Sequence, residues 1–281
     1  MDLLVSTQWL ADQIGAPDLR ILDATLFLPG SGRDEAAEYA AAHIPSAGFL
    51  DLPTLSDPDH PAPGMLPPDA MFTDRLQALG GDADSRIIVY DNSPTHSAAR
   101  AWWMLTISGV GRAVAILDGG MSAWIAEGRP TESGAPAFPR GDAVAKKDAS
   151  TVRTKAQMIA NVASAAEQVL DARASGRFTG AEKEPRAGMA SGHIPGSRNL
   201  PSSSLFGPDN RMLRGEALRA AFDKAGIDWN KPLVTTCGSG VTAAILLAGA
   251  QLLGKSDVAL YDGSWSEWGI DPETPKATGA A

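Results

Sequence analysis

Cysteine occurs once in this sequence, as Cys237, and histidine only four times. One cysteine cannot close an intramolecular disulfide. The histidines form no cluster at ligand spacing with the cysteine, so no metal site is expected. Positive charge is also short: 24 Lys and Arg stand against 33 Asp and Glu, a net charge of -9. Nucleic-acid binding needs clustered cations to neutralise phosphates, and that class is set aside. The longest apolar stretch, 241–253, includes Gln251 and is shorter than the roughly 20 residues that span a bilayer. It reads as a buried helix. Met1-Asp-Leu-Leu-Val-Ser has no basic segment ahead of an apolar run and is not a signal peptide. A lone cysteine and no export signal give a cytoplasmic protein as the expectation.

What the chain does contain is ordinary globular material, 44% hydrophobic and 20% charged over 281 residues. That length exceeds the usual single domain and favours two compact units. The sequence repeats itself accordingly. Ile21-Leu-Asp-Ala, Ala42-His-Ile-Pro-Ser, Ile87-Ile-Val-Tyr-Asp and Ala115-Ile-Leu-Asp-Gly-Gly-Met-Ser-Ala-Trp are answered in order by four segments. These are Val169-Leu-Asp-Ala, Gly192-His-Ile-Pro-Gly, Leu233-Val-Thr-Thr-Cys and Ala259-Leu-Tyr-Asp-Gly-Ser-Trp-Ser-Glu-Trp. The offset between partners stays between 144 and 150 residues, which identifies a duplicated domain rather than a short-period array. Short β-branched runs alternate with helical patterns in each copy, so each is expected to be an α/β unit, a parallel sheet with helices on both faces. The boundaries fall at 1–130 and 153–281. A linker rich in Pro, Gly and charge covers 131–152.

The second copy carries the chemistry. An apolar strand ends in Thr235-Thr-Cys-Gly-Ser-Gly-Val-Thr and a helix pattern follows at once. Cys237 therefore sits at a strand-to-helix turn, where Gly238 and Gly240 let the backbone curl and gather N–H groups at a helix N-terminus. Such a place favours a thiolate, the nucleophilic form. The first copy has Asp91-Asn-Ser-Pro-Thr-His-Ser at the same position, with no thiol and no Gly spacing. Only one half can then do cysteine chemistry.

Cys237-Gly-Ser-Gly-Val-Thr-Ala resembles the active-site loop of 3-mercaptopyruvate sulfurtransferases, a branch of the rhodanese superfamily. Both His-Ile-Pro turns, the Asp-Gly-Gly and Asp-Gly-Ser-Trp segments and the thiol-free first copy fit tandem rhodanese-like domains. The resemblance implies transfer of sulfur through a Cys237 persulfide, with a small-molecule donor, a thiol or cyanide acceptor that could be thioredoxin, no cofactor, and no membrane partner. Thiosulfate-preferring relatives carry basic residues just after the cysteine. Gly238 and Ser239 stand there here, which points to the ketoacid donor. The resemblance also assigns Arg177 and Arg186 to the donor, and guanidinium groups suit a carboxylate and a carbonyl oxygen. Gly238, Gly240, Val241 and Thr242 complete the expected substrate-binding loop. Ser239 is either an assisting, proton-relaying hydroxyl or a loop-shaping one. Arg173 is expected to brace the fold through an ion pair, and His43 and His193 to stabilise their turns.

Family members place an acid and a histidine near that serine, whereas Pro53 and Gly64 occupy those positions here. Asp51 and His60 lie close by in sequence. A thiosulfate:cyanide sulfurtransferase and a non-catalytic sulfur carrier are the competing readings. A phosphatase-type loop would close with Arg where this chain has Val241-Thr242. A monomer is the default for two fused domains.

Overall fold

In the computed structural model, which describes residues 1–28 and 30–280, the chain divides into two compact units. The first comprises 1–56, 66–148 and 208–212; the second comprises 57–65, 149–207 and 213–281. Nothing in the composition of 57–65 or 208–212 marks these two short exchanges between the halves.

The first unit is built from β1 (Leu4–Val5), α1 (Thr7–Gln13), β2 (Leu19–Asp23), α2 (Glu35–Ala41), β3 (Ala47–Phe49), α3 (Asp69–Ala78), β4 (Arg86–Tyr90), α4 (Ala98–Ile107), β5 (Ala113–Leu117) and α5 (Gly120–Ala126). The second runs β6 (Val152–Arg153), α6 (Lys155–Ser164), β7 (Gln168–Asp171), α7 (Ser175–Thr179), β8 (Arg198–Asn199), α8 (Gly215–Lys224), β9 (Leu233–Thr236), α9 (Ala243–Leu252), β10 (Val258–Tyr261) and α10 (Ser264–Trp268). Each holds a five-stranded parallel sheet flanked by helices. The strand orders, β1-β5-β4-β2-β3 and β6-β10-β9-β7-β8, are the same order repeated.

The central strands explain that arrangement. All four residues of β9 are buried, as are all four of β10, because a parallel sheet covered on both faces wants continuous apolar runs. Helix α9, apolar all round except for Gln251 in its last turn, is buried from Ala243 to Ala250. It occupies most of the long apolar stretch, and among the described residues no helix is long and apolar enough to cross a membrane. At the edge of the second unit, α6 begins with a reciprocal cap between Thr154 and Gln157, which satisfies two N–H groups that a helix start leaves open.

The histidine turns close each unit in the same way. His43 exchanges two backbone hydrogen bonds with Glu132, and His193 does so with Ala277. The ring of His43 stacks on Tyr39 at 4.3 Å, and that of His193 on Phe178 at 3.9 Å. Their Nδ1 atoms lie 2.9 Å from the carbonyls of Tyr39 and Phe178 respectively. Buried and stacked, both serve packing. Trp124 and Trp268 are likewise matched: each is fully buried and donates its indole N–H to a proline carbonyl, Pro130 and Pro275. The Pro-rich stretch after α5 is laid along the first unit. Backbone bonds from Gly141 to Gln77, Ala143 to Gly81, Lys146 to Ser108 and Asp148 to Ile107 hold it there.

Candidate active site

Strand β9 delivers Cys237 to the carboxyl end of the second sheet, and the chain then turns through Gly238, Ser239 and Gly240 into α9. Gly240 adopts φ +75°, a left-handed conformation that glycine takes at little cost. Cys237 itself is 2% exposed, while Gly238, Ser239, Val241 and Thr242 are half-buried. Val241 and Thr242 form the approach to α9, their carbonyls accepting from Ala244 and Ile245.

The turn preceding α10 pins this loop. Ser264 Oγ accepts from the Cys237 N–H at 3.1 Å and donates to the Tyr261 carbonyl at 2.8 Å. The Trp265 N–H donates to the Cys237 carbonyl at 3.0 Å, and the Ser266 N–H to the Gly238 carbonyl at 2.8 Å. Ser264 achieves this with φ +48°. A non-glycine residue in that region costs roughly 1–2 kcal/mol, so the fixing of the cysteine amide accompanies local strain. The residue at the equivalent place in the first unit is Gly120. There a Cβ would stand 2.4 Å from the Asp91 carbonyl oxygen.

Two arginines reach the same loop from the segment between β7 and β8. Arg177, on α7, lies so close that a Cβ placed on Gly238 would sit 3.3 Å from its Nη2. It is held by Glu184, whose Oε2 is 2.5 Å from Nη2. Glu184 also accepts from Arg173 Nη1 at 2.8 Å, and Arg173 is paired with Asp171 and donates to the Gly192 carbonyl. The side chains of Asp171, Arg173 and Glu184 are each only 1% exposed. The Arg173 guanidinium covers Trp265 at 4.3 Å. Burial opposes its charge, yet the two carboxylates hold its pKa above the ordinary arginine value. Arg186 arrives differently, donating from Nη1 to Ser266 Oγ at 2.8 Å.

The structure thus brings Cys237, Gly238, Ser239, Gly240, Arg177 and Arg186 into one neighbourhood, with Arg173 in the bracing position expected of it. Sequence reasoning missed Glu184, Ser264 and Ser266. Ser264 alone had a signal, as the polar counterpart of Gly120 in the repeat alignment. The segment 57–65 also belongs to this unit. Gly64 has φ +76°, and a Cβ on it would lie 3.7 Å from the Ser239 carbonyl oxygen, so the neighbour of Ser239 on this side is backbone. His60 Nε2 instead lies 3.8 Å from Glu267 Oε1, and Glu267 Oε2 accepts from the Tyr261 hydroxyl at 2.8 Å. Burial and that carboxylate push the Tyr261 pKa above its usual value. Asp51 stays in the first unit, accepting from the Thr54 amide.

The matching loop of the first unit is built for capping. Asp91 is buried and accepts from the amides of Ser93 at 2.9 Å and Ala98 at 2.7 Å. Burial raises its pKa to about 7 against the opposing pull of those two donors. Among the described residues no group of three or more His, Cys, Asp or Glu side chains is arranged to hold a metal ion. A thiol at a strand-to-helix turn beside two guanidinium groups can attack an electrophilic atom of a small anionic molecule.

A rhodanese-like domain model matches residues 6–127 and again 154–271. The 3-mercaptopyruvate sulfurtransferase of Mus musculus is 41% identical over 271 residues, which cover 94% of this chain and 91% of that protein. The thiosulfate sulfurtransferase of Cricetulus griseus is 42% identical over 287 residues, covering 98% and 95%. Among solved structures, SseA from Escherichia coli, described as showing the rhodanese fold and mechanism of 3-mercaptopyruvate sulfotransferases, superposes with a TM-score of 0.86. It is 37% identical, with 94% of this chain and 99% of that one covered.

Proposed function

The chain belongs to the rhodanese family, and from that premise we propose that it is a sulfurtransferase that takes sulfur from 3-mercaptopyruvate onto Cys237 and passes it to a thiol or cyanide. One observation carries the choice of donor. The loop after the cysteine is uncharged, and the cations beside it are Arg177, against Gly238, and Arg186, one hydroxyl away from the Gly238 carbonyl. That is a place for a ketoacid carrying one negative charge. A thiosulfate dianion would be better served by cations on the loop itself.

The two arginines divide the work by charge. Arg177 is neutralised by Glu184 and suits the keto oxygen. Arg186 faces a neutral hydroxyl and supplies the net charge for the carboxylate. In the first half-reaction the Cys237 thiolate attacks the donor sulfur and an S–S bond forms. The C–S bond breaks, and its electron pair passes to carbon as the enolate of pyruvate, which takes up a proton. In the second, an acceptor thiolate or cyanide attacks the outer sulfur and the electron pair returns to Cys237 Sγ. Loop N–H dipoles stabilise negative sulfur in both steps. Ser239 assists, by hydrogen bonding or by relaying a proton. Gly240, Val241 and Thr242 shape the anion-binding side of the loop. The protein acts as a cytoplasmic monomer, a reducing compartment suiting its lone thiol, and thioredoxin is among the thiols that could receive the sulfur.

Intact mass spectrometry after incubation with mercaptopyruvate tests this directly. The protein should gain the mass of one sulfur atom and release one equivalent of pyruvate, and Cys237→Ser, checked for folding by its thermal melt, should do neither. Pyruvate release without a mass gain, or turnover by the serine variant, would remove the persulfide mechanism. Mass gain from thiosulfate but not from mercaptopyruvate would establish the competing donor.

A further inference from the structure

Arg186 lies in a stretch between α7 and β8 that forms neither helix nor strand. A free arginine side chain carries roughly 2 kcal/mol of rotamer entropy, so something must hold the guanidinium if it is to receive a carboxylate in one orientation. The residue in position to do so is Ser266. Its hydroxyl donates to the Gly238 carbonyl at 2.7 Å and accepts from Arg186 Nη1 at 2.8 Å. Its amide donates to the same carbonyl at 2.8 Å. A single buried side chain, 5% exposed, therefore joins the loop that carries the nucleophile to the cation that faces it.

The duplication supplies a control. Ser122 stands at the equivalent position in α5 of the first unit, where it is exposed. Helix α5 forms around it all the same, so a serine at this position is not there to satisfy a buried requirement of the helix. What distinguishes Ser266 is its pair of partners, both of which belong to the site.

We propose that Ser266 is a positioning residue for the ketoacid donor: its hydroxyl fixes Arg186 relative to the Cys237 loop, so that the seated carboxylate places the donor sulfur in line with the thiolate. The proposal rests on the assignment of Arg186 to the donor carboxylate. It predicts that Ser266 matters for a donor held by that carboxylate and not for one that has none, such as thiosulfate.

The test is a double-mutant cycle on the full chain: wild type, Ser266→Ala, Arg186→Ala and the double variant, with Ser266→Thr as the conservative replacement. kcat and KM are measured with mercaptopyruvate and with thiosulfate, and thermal melts accompany each variant. A hydrogen bond to a charged group is at stake, so Ser266→Ala should raise KM for mercaptopyruvate about tenfold or more, with a smaller fall in kcat. Thiosulfate kinetics should change by less than about twofold, the normal spread for a non-contacting substitution. Ser266→Thr should recover most of the loss. In the Arg186→Ala background, adding Ser266→Ala should cost nothing further, because the hydroxyl acts through the guanidinium. An equal loss on both donors, or a full Ser266→Ala penalty persisting without Arg186, would show that the serine merely shapes the loop and overturn the proposal. Unchanged mercaptopyruvate kinetics in Arg186→Ala would fail at the earlier step, removing Arg186 from the donor site whatever Ser266→Ala does.

Discussion

Replacing Glu184 by glutamine separates the structural from the functional role of the charge network beside Cys237. Asp171, Arg173, Glu184 and Arg177 form an alternating chain whose charges cancel, with the Glu184 carboxylate 2.8 Å from Arg173 and 2.5 Å from Arg177. Glutamine keeps the shape and one acceptor but turns an N–H₂ group towards the other guanidinium. Breaking a buried pair by removing one partner costs about 3–5 kcal/mol. The lower end applies, because Arg177 is 28% exposed and can turn its charge to water, whereas Arg173 keeps Asp171. A clear fall in melting temperature, on the order of 5–10 °C for a domain of this size, is expected.

Glu184→Gln also leaves one uncompensated positive charge against Gly238. A unit pair at 4 Å is worth about 1 kcal/mol in water and about 4 kcal/mol at the effective dielectric of a protein surface. Thiosulfate carries one more negative charge than mercaptopyruvate, so the new charge favours it by that margin, reduced by the exposure of Arg177. A shift of roughly 1–2 kcal/mol, about five- to thirtyfold, is expected in the ratio of kcat/KM for the two donors. The assay measures that ratio at low and high salt, alongside a chemical denaturation curve. An unchanged ratio in a destabilised variant would mean that Arg177 does not face the donor. A shift towards mercaptopyruvate would reverse the electrostatic argument altogether.

Gly238→Arg combined with Ser239→Lys should move donor preference towards thiosulfate by tenfold or more, through charge and through space, since a side chain at 238 starts 3.3 Å from Arg177 Nη2 and crowds it; a donor ratio that does not move counts against loop charge as the selector. Asp91 tests the other unit: burial raises its folded pKa to about 7 from 3.8, so the folded state holds the proton more tightly and the contribution to stability is full below about pH 4 and lost as pH rises through 7. Asp91→Asn stays neutral and should therefore lose less stability than the wild type between pH 4 and 8, by up to about 4 kcal/mol, as read from denaturation curves at each pH; parallel curves would show that Asp91 does not titrate in this range.

Much of the fold was legible because duplication is a pattern in the chain itself. Matching offsets of 144 to 150 residues required matching sheets, and the same strand order appears twice. The buried helix α9 and the strand β9 followed from apolar runs whose flanks were glycine and polar turns. The exchange of 57–65 and 208–212 was not legible, since a short loop leaves no periodic trace of which unit receives it. Met212 shows how such a segment is held: its amide donates to Asp118 at 3.0 Å, 94 positions away. The site divides along the same line. Cys237, Gly238, Ser239 and Gly240 are neighbours in sequence and could be read as one loop. Glu184, Ser264 and Ser266 act on that loop through space, and no local spacing announces them.

Comparing the two units shows which of these contacts both turns share and which belong to the second alone. The Met121 amide donates to the Asp91 carbonyl as the Trp265 amide does to that of Cys237. Thr25 N–H donates to Asp23 at 2.9 Å as Arg173 N–H does to Asp171, also at 2.9 Å. These bonds recur because the strand-to-helix turns need them, whatever side chains stand there. The side-chain contacts at the matched places differ. Thr25 uses its hydroxyl to hold the Asn92 amide, while Arg173 reaches Glu184 and through it Arg177. Gly120 leaves its turn unstrained, while Ser264 accepts a left-handed conformation and binds the Cys237 amide. Ser122 faces solvent, while Ser266 links Arg186 to Gly238. Two of these matched positions differ in residue, Thr25 against Arg173 and Gly120 against Ser264, while Ser122 and Ser266 are the same residue in different surroundings; in the second unit each of the three makes a hydrogen bond or ion pair that leads to the Cys237 loop or to an arginine beside it. The first unit forms the same strand order with Thr25 and Gly120 at the matched places, so the order of the strands does not itself demand Arg173 or Ser264 there.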